Sequence, residues 1–217
     1  MIYKPWKVGG MVALLAALAG CANAPLHMDY SAFRESKPTS ILVLPPINSS
    51  LEVAAPNAVL AQATRPLAES GYYVFPVALV DETFKENGLA AAGDIHALPP
   101  AKLHEIFGAD TALYLDVKKY GSSYAILSSS VTVEVEAALL DLRSGVKLWE
   151  GKAIAVETSG SGGGLIGMLV SAVVNQIANT LSDRSFHVAA ITNQQLLFAG
   201  RPGGLLHGPR SPNYELH

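Results

Sequence analysis

The sequence predicts a single α/β domain of the α+β kind, built on a mixed sheet. An apolar run, a helical repeat and a second apolar run follow one another in residues 41–77, which predicts a strand, a helix and a strand. Alternating apolar and polar residues in 112–120 and 124–158 predict a three-strand antiparallel meander. An apolar stripe at helical spacing in 165–181 predicts a closing C-terminal helix. These patterns place the domain at residues 39–199.

Residues 1–20 have the order of an export signal. Lys4 and Lys7 supply positive charge, residues 8–19 are apolar apart from two glycines, and small residues lead into Cys21, the single cysteine of the chain. The tetrapeptide LAGC that ends at Cys21 resembles the lipobox of bacterial lipoproteins. This resemblance implies cleavage between Gly20 and Cys21, a diacylglycerol on the sulfur and an acylated new N-terminus. The alternative is a buried structural cysteine behind an ordinary secretory signal.

The expected partner of Cys21 is therefore membrane lipid. Three acyl chains make release negligible, since each buried methylene contributes ~0.8 kcal/mol. Residue 22 is alanine and not the aspartate that retains lipoproteins in the inner membrane of enteric bacteria. The resemblance thus implies the periplasmic face of the outer membrane.

The full chain has a net charge of −3 without a basic patch, which excludes nucleic acid as an expected partner. A single cysteine excludes disulfide bonds within the chain.

The first half of the chain reads as a tether followed by a crossover. Residues 21–38 lack periodicity and contain two prolines, which indicates a flexible tether. Residues 41–44 are uniformly apolar, as in a strand buried on both faces. A helix over 56–70 ends at Gly71, and a strand follows at 72–77. A right-handed crossover makes the two strands parallel neighbours.

Two short helices and the meander come next. Residues 79–87 and 99–107 are each followed by a glycine, Gly88 and Gly108, and the link between them is predicted to be irregular. Residues 112–120 form a strand with one buried face. An Arg143–Gly145 turn of three residues then fixes the register of the hairpin in 124–158. It pairs Leu139 with Trp149 on the buried side and Glu136 with Lys152 on the solvent side.

The last quarter of the chain is rich in glycine. Residues 159–164 are predicted to form a mobile link to the helix in 165–181. This helix docks on the sheet or, as an alternative, inserts with the link into membrane or packs on a partner. Residues 185–197 mix strand and helix patterns and receive no assignment. Residues 200–217 contain four glycines and three prolines, which predicts an extended tail with few internal contacts.

No motif in the sequence indicates catalysis, a cofactor or a metal. Residues 162–167 match G-x-G-x-x-G, but too few strand-helix units follow for a nucleotide domain. The six histidines are dispersed without metal-ligand spacing, and no G-x-S-x-G nucleophile motif occurs. Glu134 and Glu136 alternate along one strand and are interpreted as a solvated face. We therefore expect a protein that is not an enzyme.

The order of elements looks like that of the TolB amino-terminal domain and the periplasmic domain of the curli secretion channel. The turn DLRSG at 141–145, followed by Leu148 and Trp149, is most like those domains. The whole mature chain is similar to a family of bacterial lipoproteins of unassigned function that includes a neisserial vaccine-candidate antigen; the lipobox, the 41–46 run, the glycine-rich link and the Gly208-Pro209 tail carry that likeness. The resemblance implies a non-catalytic accessory of a curli-channel-like export system.

Two other functions stay open, namely regulation of a peptidoglycan synthase and envelope hydrolysis. The expected partner is an envelope protein such as a curli-channel-like subunit, with homo-oligomers as a further option. We expect the interface to combine glycines with exposed apolar side chains in the link and the tail, namely Gly163, Leu165, Ile166, Leu205, Leu206 and Tyr214. The alternative is that the tail packs on its own domain.

Overall fold

A computed structural model of the protein describes residues 28–125, 128–159 and 181–214. The predicted signal, Cys21 and residues 165–180 lie outside these ranges. The described helices are α1 (Ser31–Ser36), α2 (Ala55–Glu69), α3 (Val77–Glu86), α4 (Ala92–His96), α5 (Pro100–Phe107) and α6 (Leu181–Leu197). The strands are β1 (Ser40–Val43), β2 (Ile47–Asn48), β3 (Tyr73–Val74), β4 (Thr111–Ala125), β5 (Ser128–Asp141) and β6 (Lys147–Ser159).

The strands form one mixed sheet in the order β3-β1-β4-β5-β6, with β2 beside β4. β1 runs parallel to β3 and to β4, because a helical connection precedes each of those partners. β4, β5 and β6 are joined as antiparallel neighbours. The predicted strand-helix-strand start, the meander and the mixed sheet are confirmed. The irregular link between the two predicted short helices contains α4.

β1 is buried on both faces, as the sequence predicts. Ile41 and Val43 belong to the larger core cluster, which fills the space between one sheet face and helices α1, α2 and α6. Leu42 and Leu44 belong to a second cluster, formed with α3, α4 and α5 on the opposite face. Adjacent side chains of a strand point to opposite faces of the sheet, so a strand of only four residues contributes apolar side chains to both core clusters.

The register of the β5–β6 hairpin is confirmed. Leu139 pairs with Trp149 and Glu136 with Lys152. The turn is longer than predicted, because residues 142–146 all lie between the two strands. Gly145 has a φ of +73°, and its N–H donates to the Asp141 carbonyl at 2.8 Å. A register shift between Leu139 and Leu140 absorbs the extra length of this turn.

The predicted tether is wrong in its second half, since residues 28–38 are folded onto the domain. Phe33 on α1 is only 3% exposed and lies in the larger core cluster. The Ser36 hydroxyl donates to the Asp141 carboxylate, and the Thr39 and Ser40 hydroxyls donate to the Asp110 carboxylate. Sequence inspection missed α1 because a six-residue helix with one buried side chain shows no periodicity.

The described helix that docks on the sheet is α6, which includes residues 185–197, the stretch that the sequence left unassigned. α6 contacts β4, β5, β6 and α2. Its buried stripe includes two polar residues, Thr192 and Asn193, both fully buried. The Thr192 hydroxyl donates to Val188 O at 2.9 Å and the Asn193 amide donates to Val59 O at 2.7 Å. Because two buried positions of the helix are polar, its hydrophobicity pattern does not show a continuous apolar stripe at helical spacing.

The tail is also corrected, because its described part packs against the domain. Leu205 is 1% exposed and belongs to the larger core cluster. The N–H groups of Gly208 and Arg210 donate to the carbonyls of Ser70 and Gly71 at 2.8 and 3.1 Å. Prolines and glycines permit this irregular path, and the backbone hydrogen bonds that the tail needs come from the end of α2.

Candidate functional site

Of the residues predicted to form an interface, three lie in the described chain, namely Leu205, Leu206 and Tyr214. Leu205 is a core residue and is unavailable to a partner. Leu206 is half-buried, and its carbonyl accepts a hydrogen bond from the Tyr72 hydroxyl at 2.7 Å. Tyr214 is 38% exposed. The remaining members, Gly163, Leu165 and Ile166, lie outside the described residues, as do Gly20 and Cys21.

The candidate site is the outer face of β4, β5 and β6, opposite α2 and α6. Helices α3, α4 and α5 cover only the end of this face that contains Leu42, Ala112 and Leu142. Farther along, Ile154 and Val156 of β6 are 49% and 54% exposed. Because β6 is the last strand of the described sheet, its outer backbone edge has no strand partner there. The sheet therefore offers a strand edge beside two exposed β-branched side chains.

A β-bulge arranges the charges on this outer face. The register of β4 against β5 shifts between Val117 and Lys119. This extra residue lets two consecutive lysines, Lys118 and Lys119, reach acids on the same side of β5. The Lys118 Nζ lies 3.4 Å from a Glu136 carboxylate oxygen, and the Lys119 Nζ lies 2.8 Å from a Glu134 oxygen.

Glu134 is the most buried member of this charged network. Its side chain is 7% exposed, and Lys152 on β6 reaches it from the other side at 2.5 Å. The hydrogen bonds from Lys119, and then from Lys152, hold the pKa of Glu134 below its usual value, although burial opposes this shift. The predicted solvated face is therefore an ion-pair network across three strands.

A shallow depression of about 480 Å³ lies next to this network. Its polar lining consists of His96, Tyr114, Asp116, Glu136, Glu150 and Lys152. The His96 Nε2 lies 2.9 Å from the Pro45 carbonyl, and the imidazole packs edge-to-face on Tyr114. Burial lowers the pKa of His96, so the neutral ring donates from Nε2 and leaves Nδ1 as an acceptor.

The charged groups of this face are engaged with one another. Among the described residues, no serine, threonine or cysteine lines the depression. Asp116 and Glu136 are both engaged with Lys118, at 2.5 and 3.4 Å. Within the described ranges, no group of three or more His, Cys, Asp or Glu side chains is placed to hold a metal ion. The exposed apolar side chains of β6 are thus bordered by charged residues, as the apolar centre of a protein interface is bordered by a polar rim.

None of the helices in residues 28–125, 128–159 and 181–214 combines the length and hydrophobicity needed to cross a bilayer.

Comparison with known proteins identifies the family. The model of the family described as "Putative lipoprotein GNA1162-like" matches residues 28–210. The chain is 52% identical over 202 residues to a Neisseria meningitidis protein named "Putative lipoprotein NMB1124/NMB1162", covering 93% of this chain and 94% of the relative. The crystal structure of lipoprotein GNA1162 from Neisseria meningitidis superposes with a TM-score of 0.56 and 56% identity over 66% of this chain and all of that one. The protein therefore belongs to the GNA1162-like family of cell-envelope lipoproteins.

Proposed function

We propose that the protein is anchored by acyl chains on Cys21 in the periplasmic leaflet of the outer membrane. There it serves as a non-catalytic accessory subunit of a cell-envelope export system. The family supports a lipoprotein, and the LAGC sequence with Ala22 supports the anchor and its destination. The carboxylates of the outer sheet face that are paired with lysine support a binding role.

The observation that carries this proposal is the docking of residues 28–38 on the domain. Phe33 is buried, so the chain that separates the anchor from the folded domain shortens to the seven Cα-to-Cα steps from Cys21 to Met28. Seven extended residues span at most about 25 Å. The domain consequently stays beside the leaflet that holds its acyl chains. This short reach favours a partner in the outer membrane over a peptidoglycan synthase on the far side of the periplasm.

We place the partner-binding surface at the edge of β6 and the adjoining outer face. Ile154 pairs with Glu134 and Val156 with Thr132, so the two apolar side chains lie in a row along the sheet edge. An extended segment of a partner can pair with a free edge and cover such side chains. Gly163, Leu165 and Ile166 follow β6 closely in sequence and remain part of the proposed interface.

The test is co-purification of the acylated full-length chain from detergent-solubilised membranes. We expect a channel-type outer-membrane protein to co-purify with the wild type and to be lost with Ile154→Lys. Leu79→Lys is the matched control, because Leu79 is 59% exposed on α3, away from β6. Recovery of a peptidoglycan synthase in place of a channel protein would support the alternative function, and equal recovery with both variants would reject the β6 surface.

A separate experiment tests the anchor. Cys21→Ala should release the protein from membranes and abolish labelling with palmitate, because the thiol that accepts lipid is lost. Persistence of the variant in the outer-membrane fraction after a high-salt wash would contradict anchoring by Cys21 alone.

A further inference from the structure

The loop between β2 and α2 exposes two large apolar side chains to solvent. Leu51 is 100% exposed and Val53 is 90% exposed, more than any other large apolar residue of the described chain. Such exposure opposes the hydrophobic effect and therefore calls for a functional explanation.

Hydrogen bonds hold this loop in one shape. The Asn48 Oδ1 accepts from the N–H and the hydroxyl of Ser50, at 3.0 and 2.7 Å, and the Asn48 amide donates to Glu52 O at 2.9 Å. The Glu52 side chain lies against Gly121 of β4, where an added Cβ would meet its Cγ at 3.2 Å. The charged residue between Leu51 and Val53 is thus turned onto the sheet. The loop presents its apolar pair without collapsing onto the domain.

We propose that Leu51 and Val53 insert into the interfacial region of the leaflet that holds the acyl chains of Cys21. This inference rests on the lipid anchor of the proposed function. Two loop side chains, without a strand edge like the one beside Ile154 and Val156, make too small a patch for a stable protein interface, which usually buries more than ~1,000 Å². Two side chains are sufficient to orient a domain that an anchor already holds at the membrane, because the second contact is then intramolecular.

The length of the N-terminal linker matches this arrangement. The Tyr30 hydroxyl donates to Gly204 O, and the neighbouring Gly203 carbonyl accepts from the Trp149 indole. The start of the folded chain therefore lies beside Trp149 when positions are measured along β6. Gly121, beneath the loop, pairs with Thr132 and thereby lies level with Val156. The Trp149 ring extends over Gly151, toward Val156, so the two levels are at most about 23 Å apart along β6 at ~3.3 Å per residue. The linker from Cys21, with its reach of about 25 Å, spans that distance.

The experiment uses the acylated chain, in which the Cys21 sulfur is blocked and an introduced cysteine is the only free thiol. Leu51→Cys, Val53→Cys and Val146→Cys are labelled with a fluorophore that reports polarity. Each protein is then reconstituted into phosphatidylethanolamine–phosphatidylglycerol vesicles with or without brominated acyl chains. Val146 is the matched control, because it is 47% exposed at the opposite end of the sheet, in the β5–β6 turn.

We expect vesicle lipid to shift the emission at positions 51 and 53 to the blue and brominated lipid to quench it several-fold more than at position 146. Equal quenching at all three positions overturns the inference. A blue shift at position 51 in detergent-free solution, without vesicles, also overturns it, since residues 160–180 or a second copy would then cover the loop. Failure of every variant to float with vesicles instead rejects the acyl anchor of the proposed function.

Discussion

Replacing Leu205 by alanine tests whether the C-terminal segment is part of the core. The side chain is 1% exposed, and the substitution removes three carbon atoms from the larger core cluster. At ~0.8 kcal/mol for each carbon, the lost transfer free energy is about 2.4 kcal/mol. The residual cavity adds to this value, so the free energy of unfolding should fall by about 2–5 kcal/mol. The urea midpoint should then fall by about 1–2 M at an unchanged slope.

The control for this substitution is Leu51→Ala. Leu51 is fully exposed, so its replacement should change the free energy of unfolding by less than ~0.5 kcal/mol. Both proteins lose the same atoms from the same residue type and differ only in burial. If the two urea midpoints coincide, the segment after Gly200 is not packed as described and could serve as a free binding tail.

Two further substitutions test other parts of the packing and the charges. Gly71→Ala should destabilise far more than Gly88→Ala: both glycines have positive φ, at +95° and +77°, but a Cβ at residue 71 would lie 2.3 Å from Ser211 N, whereas residue 88 faces open space. Equal melting temperatures would reject the close approach of the tail. Glu134→Gln should destabilise at pH 7, because the folded-state pKa of Glu134 is lowered and its stabilisation is present above the unfolded value of ~4.3. The urea midpoints of Glu134→Gln and wild type should converge as pH falls below ~4, and a constant difference down to pH 2 would contradict the ion-pair assignment.

Local patterns were sufficient to predict the strand-helix-strand start and the antiparallel meander, but not β2 or the parallel pairing of β1 with β4. In a strand with one buried face, apolar side chains mark the buried face and polar side chains mark the exposed one. The apolar row that contains Leu139, together with the charge pair of Glu136 with Lys152, therefore specified the hairpin register. The double-sided burial of β1 followed from four consecutive apolar residues. In both cases neighbours in sequence or across one turn carry the information.

Elements that depend on distant partners escaped sequence inspection. α1 is held by one buried side chain, Phe33, and by the hydrogen bond from Ser36 to Asp141 at the end of β5. α6 buries Thr192 and Asn193: Val133, Val188 and Val59 supply acceptors for their donors, while the Asn193 Oδ1 has no partner among the described residues. The burial of Glu134 depends on a bulge that no propensity indicates. The sequence motif for the proposed membrane anchor is local. In contrast, the exposed apolar residues of the outer sheet face and of the Leu51 loop could be identified only from their solvent exposure in the structure.

The contact between the two ends of the described chain sets an order on biogenesis. Tyr30 and Gly204 are 174 residues apart, and Phe33 and Leu205 fill the same core. Because synthesis starts at the N-terminus, α1 emerges long before the residues that complete its surroundings. Closure of so long a loop delays final folding until the C-terminal segment arrives. A prematurely terminated chain would lack the segment that completes its core and would be open to proteolysis.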